Sequence, residues 1–299
     1  MTVLEGIQKS AEFLAKKEVE PPRLQAELLL AHVLKLPRMQ LYLNFERVLT
    51  PAQVDGLREL VRRRGRREPL QHIIGSTSFC GLEIAVNRHV LIPRPETELL
   101  AQEGWQFLNQ LSRADRLNDG APADRAVRAP SSLDLGTGSG CLAIALAVKC
   151  PAAQVYAADL CPEALDVAKR NAAGHGVSDR IHFREGDGFA ALPEGIRFDL
   201  IVSNPPYIPT AEIESLQPEV RDYDPRRALD GGPDGLEFCR KLAAESRPFL
   251  EQNGRIMLEF GDGQAGSVRN MFEAQNWIVE AVREDYNQRP RILIARSNG

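Results

Sequence analysis

The sequence has little of what marks a secreted, membrane-bound or metal-built protein. Its five cysteines (Cys80, Cys141, Cys150, Cys161 and Cys239) are odd in number, irregular in spacing and never form a CxxC. That argues against a disulfide framework and a zinc cluster, and reads as reduced thiols in a cytoplasmic protein. No run approaches the roughly 20 apolar residues that a membrane span needs. The N-terminal MTVLEGIQKSAEFLAKKEVEPP lacks the basic head and long apolar core of a secretory signal, and its acids set it apart from an Arg-rich transit peptide. A positive surplus is missing too. With 37 Lys+Arg against 41 Asp+Glu the net charge is −4, which counts against a protein living on the phosphate backbone. No internal repeat is visible. What remains is an ordinary globular composition, 43% hydrophobic and 26% charged, in 299 residues. At roughly 150 residues per domain that length suits two domains.

The first 70 residues read as helices. Leu24, Leu28, Leu29, Ala31, Val33 and Leu34 gather on one face, Pro21-Pro22 stands where that helix begins, and Pro37 closes the segment. Thr50-Pro51, an N-cap followed by an N1 proline, opens another helix carrying Val54, Leu57, Leu60 and Val61. It ends in the basic run 62–67. Cations suit a helix C-terminus, so the run reads as a solvated face; the alternative is a contact with an acidic partner or RNA. Between Ile73 and Ile92 short β-rich pieces flank Cys80-Gly81, a hairpin pattern joining two domains. A helix then opens at Pro93-Arg94-Pro95-Glu96-Thr97-Glu98 and runs to about Leu111, and residues 112–130 read as a surface loop. From Ser131 strands (132–135, 154–158, 181–185, 198–203, 255–260) alternate with helices near 139–149, 162–173, 236–250 and 264–275. Two more strands, 277–283 and 291–295, form a terminal antiparallel pair. This is a doubly wound α/β domain with a mostly parallel sheet. The organisation expected is a helical domain over 1–72, a hairpin linker over 73–95 and an α/β domain over 96–299.

The first strand of that domain ends in DLGTGSG, Asp134 to Gly140, and a helix follows at once. Glycines let the backbone turn sharply and approach a ligand. The spacing is neither the G-x-G-x-x-G of a dinucleotide fold nor a P-loop ending in Gly-Lys-Ser/Thr. Asp134, beside the helix mouth, repels phosphate and suits a cationic ligand. Asp159 ends the second strand, placed to accept from ribose hydroxyls, and Asp187 follows the third, placed to accept from an adenine amine. Any one of these acids is equally a turn-former or cap. Three on successive strand ends, without phosphate machinery, fit S-adenosylmethionine. The fourth strand ends in Asn204-Pro205-Pro206-Tyr207. A lone double proline is a strand-terminating turn. After a glycine loop and paired acids it reads as a grip on a planar –NH2: the Asn204 side-chain oxygen and a proline carbonyl accept, and Tyr207 offers a flat face.

With these motifs in hand, the chain resembles the HemK/PrmC family, the glutamine methyltransferases of peptide-chain release factors. The resemblance is carried by DLGTGSG and NPPY, and further by PRLQAELLLAHVL, EPLQHIIG, LIPRPETE and PEVRDYDPRRALDGGPDGL. It spans nearly the whole chain apart from the 112–130 loop. It implies a class I S-adenosylmethionine-dependent (Rossmann-like) fold with a seven-stranded sheet, and methyl transfer to the amide nitrogen (N5) of the Gly-Gly-Gln glutamine of class I release factors, leaving S-adenosyl-L-homocysteine. Carried over residue by residue, Gly136, Thr137, Gly138, Ser139 and Gly140 would lie under the methionine part, Asp159 would hold the ribose, and Asp187 with Gly188 the adenine. Asn204, which would also touch the cofactor, and the Pro205 carbonyl would bind the glutamine amide, with Pro206 and Tyr207 completing the slot; Asn204, Pro205 and Tyr207 are the candidate catalytic residues. The helical domain would dock the release factor. Two departures stand out: Asp224 where the family more often has Glu, and Gly188 where some members carry an aromatic, so that stacking on adenine is absent or falls to Phe189. NPPY is shared with adenine N6-methyltransferases, so that activity and a ribosomal-protein glutamine methyltransferase are the alternatives; a non-catalytic cofactor-binding scaffold is a third. No metal, membrane or nucleic-acid partner is expected, and none of the five histidines sits in a catalytic motif.

Overall fold

A computed structural model describes residues 1–117 and 128–298, with residues 114–117 described by their backbone. The chain separates into two compact units. The first comprises Met1–Ser76 together with the later segment Leu216–Tyr223. Its helices are α1 (Val3–Ala15), α2 (Pro22–Leu34), α3 (Arg38–Tyr42), α4 (Pro51–Gly65) and α5 (Leu70–Ile74). Apolar side chains at helical spacing, including Val3, Ile7 and Leu14 of α1, Leu29 and Leu30 of α2 and Leu57 and Val61 of α4, meet in one core. Thr50 caps α4 as its sequence predicts: its hydroxyl accepts from the Gln53 amide at 3.3 Å and Gln53 accepts in return at 3.0 Å.

The basic run at the end of α4 is not a free solvated patch. Arg62 pairs with Glu59 at 2.8 Å and Arg63 with Glu68 at 2.5 Å. Arg64 and Arg67 both hold Glu219, at 2.8 and 2.7 Å, and Arg64 is buried. Glu219 lies in Leu216–Tyr223, so the run ties a remote piece of chain into this unit. Spacing along α4 shows four arginines but not the acid 155 positions away that partners Arg64.

The second unit holds a hairpin, β1 (Ser76–Phe79) and β2 (Leu82–Ala85), then α6 (Pro95–Leu117) and a seven-stranded sheet. The strands are β3 (Ser131–Leu135), β4 (Gln154–Asp159), β5 (Ile181–Glu185), β6 (Phe198–Ser203), β7 (Leu250–Glu259), β8 (Trp277–Glu284) and β9 (Pro290–Ser297), with α7 (Cys141–Lys149) after β3 and α8 (Pro162–Gly174) after β4. Their order is β5-β4-β3-β6-β7-β9-β8, parallel through β7 and antiparallel where β9 joins. Both faces are covered: on β9, Ile292 and Ile294 enter one core while Leu293 and Ala295 enter the other. The helix predicted to stop near Leu111 continues to Leu117; residues 112–117 lack an apolar stripe, yet Ala, Arg and Leu are strong helix formers. The rest of the predicted 112–130 loop, up to residue 127, lies outside the described residues. Among the described residues no helix is long and apolar enough to cross a membrane. All five thiols are free, and burial pushes Cys80 and Cys239 up to about 12.

Candidate active site

The chain starts the sheet at β3, builds outward to β5, then crosses back to β6, so strand order reverses between β3 and β6. At such a switch point the loops after neighbouring strands part and leave a crevice at the carboxyl ends. A cavity of about 230 Å³ lies there. Its wall includes Gly136, Gly138, Asp159, Asp187, Asn204 and Pro205.

The glycine loop is braced from below. The Gly136 and Thr137 amides both donate to the Ala158 carbonyl, at 2.9 and 3.0 Å. Asp159 accepts from the Gly138 amide at 2.8 Å and the Cys161 amide at 2.9 Å, which leaves lone pairs on each oxygen for a further donor. Gly136 and Gly138 adopt φ of +78° and +54°, and a Cβ built on either would meet nothing within 4 Å. The space over them is open for a ligand. Asn171 of α8 adds a brace that the sequence did not reveal, donating to the carbonyls of Ala85 and Ser139 at 3.0 and 2.9 Å.

Asp134 does not face this cavity. It is fully buried, and its Oδ2 accepts from the Thr137 hydroxyl at 2.6 Å and the Ala143 amide at 3.1 Å. It braces the loop, and with it the Thr137 side chain turns inward. Burial above all, with the charge of Asp159 adding, pushes its carboxyl up to about 7 against those two hydrogen bonds. A folded-state value above the unfolded one adds stability that is present at low pH and is lost as pH rises from about 4 to about 7. An Asp134→Asn chain lacks that dependence. Its stability should therefore rise relative to wild type by up to about 1.4 kcal/mol per pH unit across that window. Urea unfolding of both chains at several pH values checks this; parallel stability curves would refute it.

Asp187 is exposed and accepts from the Lys241 ammonium at 2.7 Å, while Gly188 beside it lines the cavity. Phe189 is not available for stacking on a ligand. It is buried in the core against Phe249, ring centroids 4.8 Å apart and nearly parallel. The apolar side chains Leu160 and Phe238 line the cavity instead.

At the end of β6, Asn204, Pro205 and Pro206 form part of the wall. Among the described residues no donor takes the Pro205 carbonyl. Asn204 Nδ2 donates to Thr97 Oγ1 at 3.0 Å, and the Thr97 hydroxyl donates to Glu259 Oε2 at 2.7 Å. Tyr207 is not in the wall; its hydroxyl reaches toward Glu259 Oε1 at 3.4 Å. Thr97 sits in the first turn of α6 and Glu259 ends β7, both buried. The sequence reading gave neither a role. The signal for Glu259 was present, an acid closing an apolar strand, as at Asp159.

The ALDGG segment explains why the corner holds its shape. Gly231 N donates to Ile208 O at 2.9 Å, and a Cβ on Gly231 would stand 2.8 Å from the Pro206 carbonyl oxygen and the Tyr207 Cα. On Gly235, at φ +74°, it would run into the Tyr207 carbonyl oxygen. Only glycine lets these two backbones meet. Asp224 is buried and pairs with Arg94 at 2.6 Å, so the shorter acid still reaches its partner from the LIPRPETE segment.

A seven-stranded sheet of this order with a cavity at its switch point defines a class I methyltransferase, and a methyltransferase small domain matches residues 123–216. A solved methyltransferase from Pyrococcus furiosus shares the fold, with a TM-score of 0.51 at 20% identity over 78% of this chain and 97% of that one. Residues 5–75 match the PrmC N-terminal domain. The chain is 43% identical over 295 residues to the release factor glutamine methyltransferase of Geobacter sulfurreducens, covering 99% of this chain and 96% of the relative. It is 44% identical over 297 residues to that of Chlorobaculum tepidum, covering 98% and 96%. The chain belongs to the release factor glutamine methyltransferase family.

Proposed function

We propose that this chain methylates the side-chain amide nitrogen (N5) of the Gly-Gly-Gln glutamine of class I release factors, with S-adenosylmethionine as donor, in the cytoplasm. One observation carries the reading: a single cavity joins the glycine loop and Asp159 to the Asn204-Pro205-Pro206 corner. The residues present fit the donor. Open space over Gly136 and Gly138 suits its methionine part, with Thr137, Ser139 and Gly140 shaping the loop; the free lone pairs of Asp159 suit ribose hydroxyls. Asp187 and Gly188, with Leu160 and Phe238 as apolar walls, suit adenine. Asp187 would then share its carboxylate with Lys241.

When bound, S-adenosylmethionine supplies an electrophilic methyl on a sulfonium. The chain's work is on the amide, whose nitrogen lone pair is delocalised into its own carbonyl. Asn204 Oδ1 and the Pro205 carbonyl accept its two N–H bonds, turn the lone pair toward the methyl and favour the pyramidal nitrogen of the transition state. Fixing nitrogen, carbon and sulfur in line contributes up to about 7–11 kcal/mol. No strong base is needed, because the nitrogen becomes acidic only as the new bond forms, and water takes the proton. Tyr207 packs beside the slot and stiffens it.

The helical unit is the docking domain in this reading. Met39, Leu43 and Val48 are 66, 85 and 69% exposed there, apolar side chains that a protein partner could cover. The double variant Met39→Asp/Leu43→Asp should raise KM for an intact release factor by about tenfold or more and leave kcat unchanged. An unchanged KM would remove the docking role from this surface. The substrate itself is tested by giving the chain labelled S-adenosylmethionine with, separately, a class I release factor, a ribosomal-protein mixture and DNA. Label on the Gly-Gly-Gln glutamine is expected; label on DNA would overturn the assignment.

A further inference from the structure

We propose that Thr97 and Glu259 are positioning residues for Asn204, and that together they set which end of its side-chain amide faces the cavity. The inference rests on the acceptor role given to Asn204 above. An asparagine amide has two ends of nearly equal size and opposite polarity. With the oxygen toward the cavity it receives a glutamine –NH2; reversed, it sets two donors against each other and capture fails. Nothing in the NPPY motif chooses between the two. The choice is made by the groups that hold the inner end of the amide, Thr97 at the cavity margin and Glu259 behind it.

Thr97 has one hydroxyl proton. Ionised Glu259 can only accept, and at 2.7 Å from Thr97 it takes that proton. The Thr97 oxygen is then left to accept, and the group facing it at 3.0 Å must be a donor, Asn204 Nδ2. Asn204 Oδ1 is thereby the end presented to the cavity. Thr97 and Glu259 are 2% and 1% exposed, so no bulk water competes for these bonds. The second carboxylate oxygen takes the Tyr207 hydroxyl, so one buried acid orders both polar ends of the NPPY corner.

The device depends on the charge of Glu259. Burial foremost, and the nearby carboxylate of Glu96, push it up to about 7, while the bonds from Thr97 and Tyr207 and the Arg291 guanidinium act the other way. Once protonated, Glu259 donates to Thr97, the Thr97 proton is released toward Asn204, and the orienting force is lost or inverted. Turnover therefore falls as pH drops through about 7, with an acid limb in kcat.

The test uses the full-length chain with a class I release factor, comparing wild type, Thr97→Val, Thr97→Ser and Glu259→Gln. Valine keeps the shape without the hydroxyl; serine keeps the hydroxyl. Thr97→Val should lower kcat by about 30-fold and flatten the acid limb, with KM and the calorimetric S-adenosylmethionine affinity within about twofold of wild type. Thr97→Ser should recover most of kcat and restore the limb. Glu259→Gln, whose amide can present either a donor or an acceptor to Thr97, should fall between wild type and Thr97→Val in kcat and lack the acid limb. Wild-type turnover and pH profile in Thr97→Val would overturn the proposal, as would equal impairment of the valine and serine variants, which marks a steric role. If wild type methylates no release factor, the substrate reading falls and this inference with it; an active wild type beside an unaffected Thr97→Val sinks the positioning role alone.

Discussion

Replacing Asn204 with alanine should lower methyl transfer by about 10²–10³-fold, the size seen when one preorganised transition-state partner is removed. S-adenosylmethionine binding should change little. The glycine loop is held by the Ala158 carbonyl and the Asp159 carboxylate, neither of which touches Asn204. Thr97 and Glu259 keep their mutual bond, so the loss falls on amide capture and not on the core. Single-turnover rates with a release factor, set beside calorimetric cofactor affinity, separate the two. A variant retaining more than about a tenth of wild-type rate would mean that Asn204 does not hold the reacting amide.

Replacing Glu219 with alanine should destabilise the helical unit by about 3 kcal/mol. Glu219 accepts from Arg64 and Arg67, and its own carboxyl is held below the usual range by those two arginines against the opposing effect of its burial. Arg64 is 5% exposed. Its remaining partners would be the neutral Gln25 side chain and the Glu68 carbonyl, at 3.0 and 3.1 Å. A buried guanidinium that loses its one anion among the described residues costs far more than an exposed pair, which contributes about 0–1 kcal/mol. Glu219→Gln, which keeps an accepting oxygen, should lose about half as much. Hydrogen exchange of the α2 and α4 amides together with urea unfolding measures the effect. A loss below about 0.5 kcal/mol would return the basic run to the status of a solvated helix end.

The parts legible in the sequence were those carried by periodicity and by rigid residues. Strands β5 and β6 stand where their apolar runs begin and end, and Thr50-Pro51 starts α4. The glycine loop and the double proline mark the site because their chemistry is local: few other residues allow φ near +78° with open space above, or remove two successive N–H groups. Side-chain direction was not legible. Asp134 and Asp159 both sit at carboxyl ends of neighbouring strands, yet one points into the core and the other lines the cavity. Phe189 follows Gly188 in the chain but belongs to the core with Phe249, a partner 60 positions away.

Taken alone, the amino-acid order determined the kind of fold, the family and the short segments that build the cavity, because hydrophobic period, glycine and proline act over a few residues. Only the tertiary structure decided which polar groups meet. Asn204, Thr97 and Glu259 lie on three separate elements, and Arg64 and Glu219 are 155 residues apart. A hydrogen bond needs its partners within about 3 Å of each other, and at such separations that closeness is a property of packing.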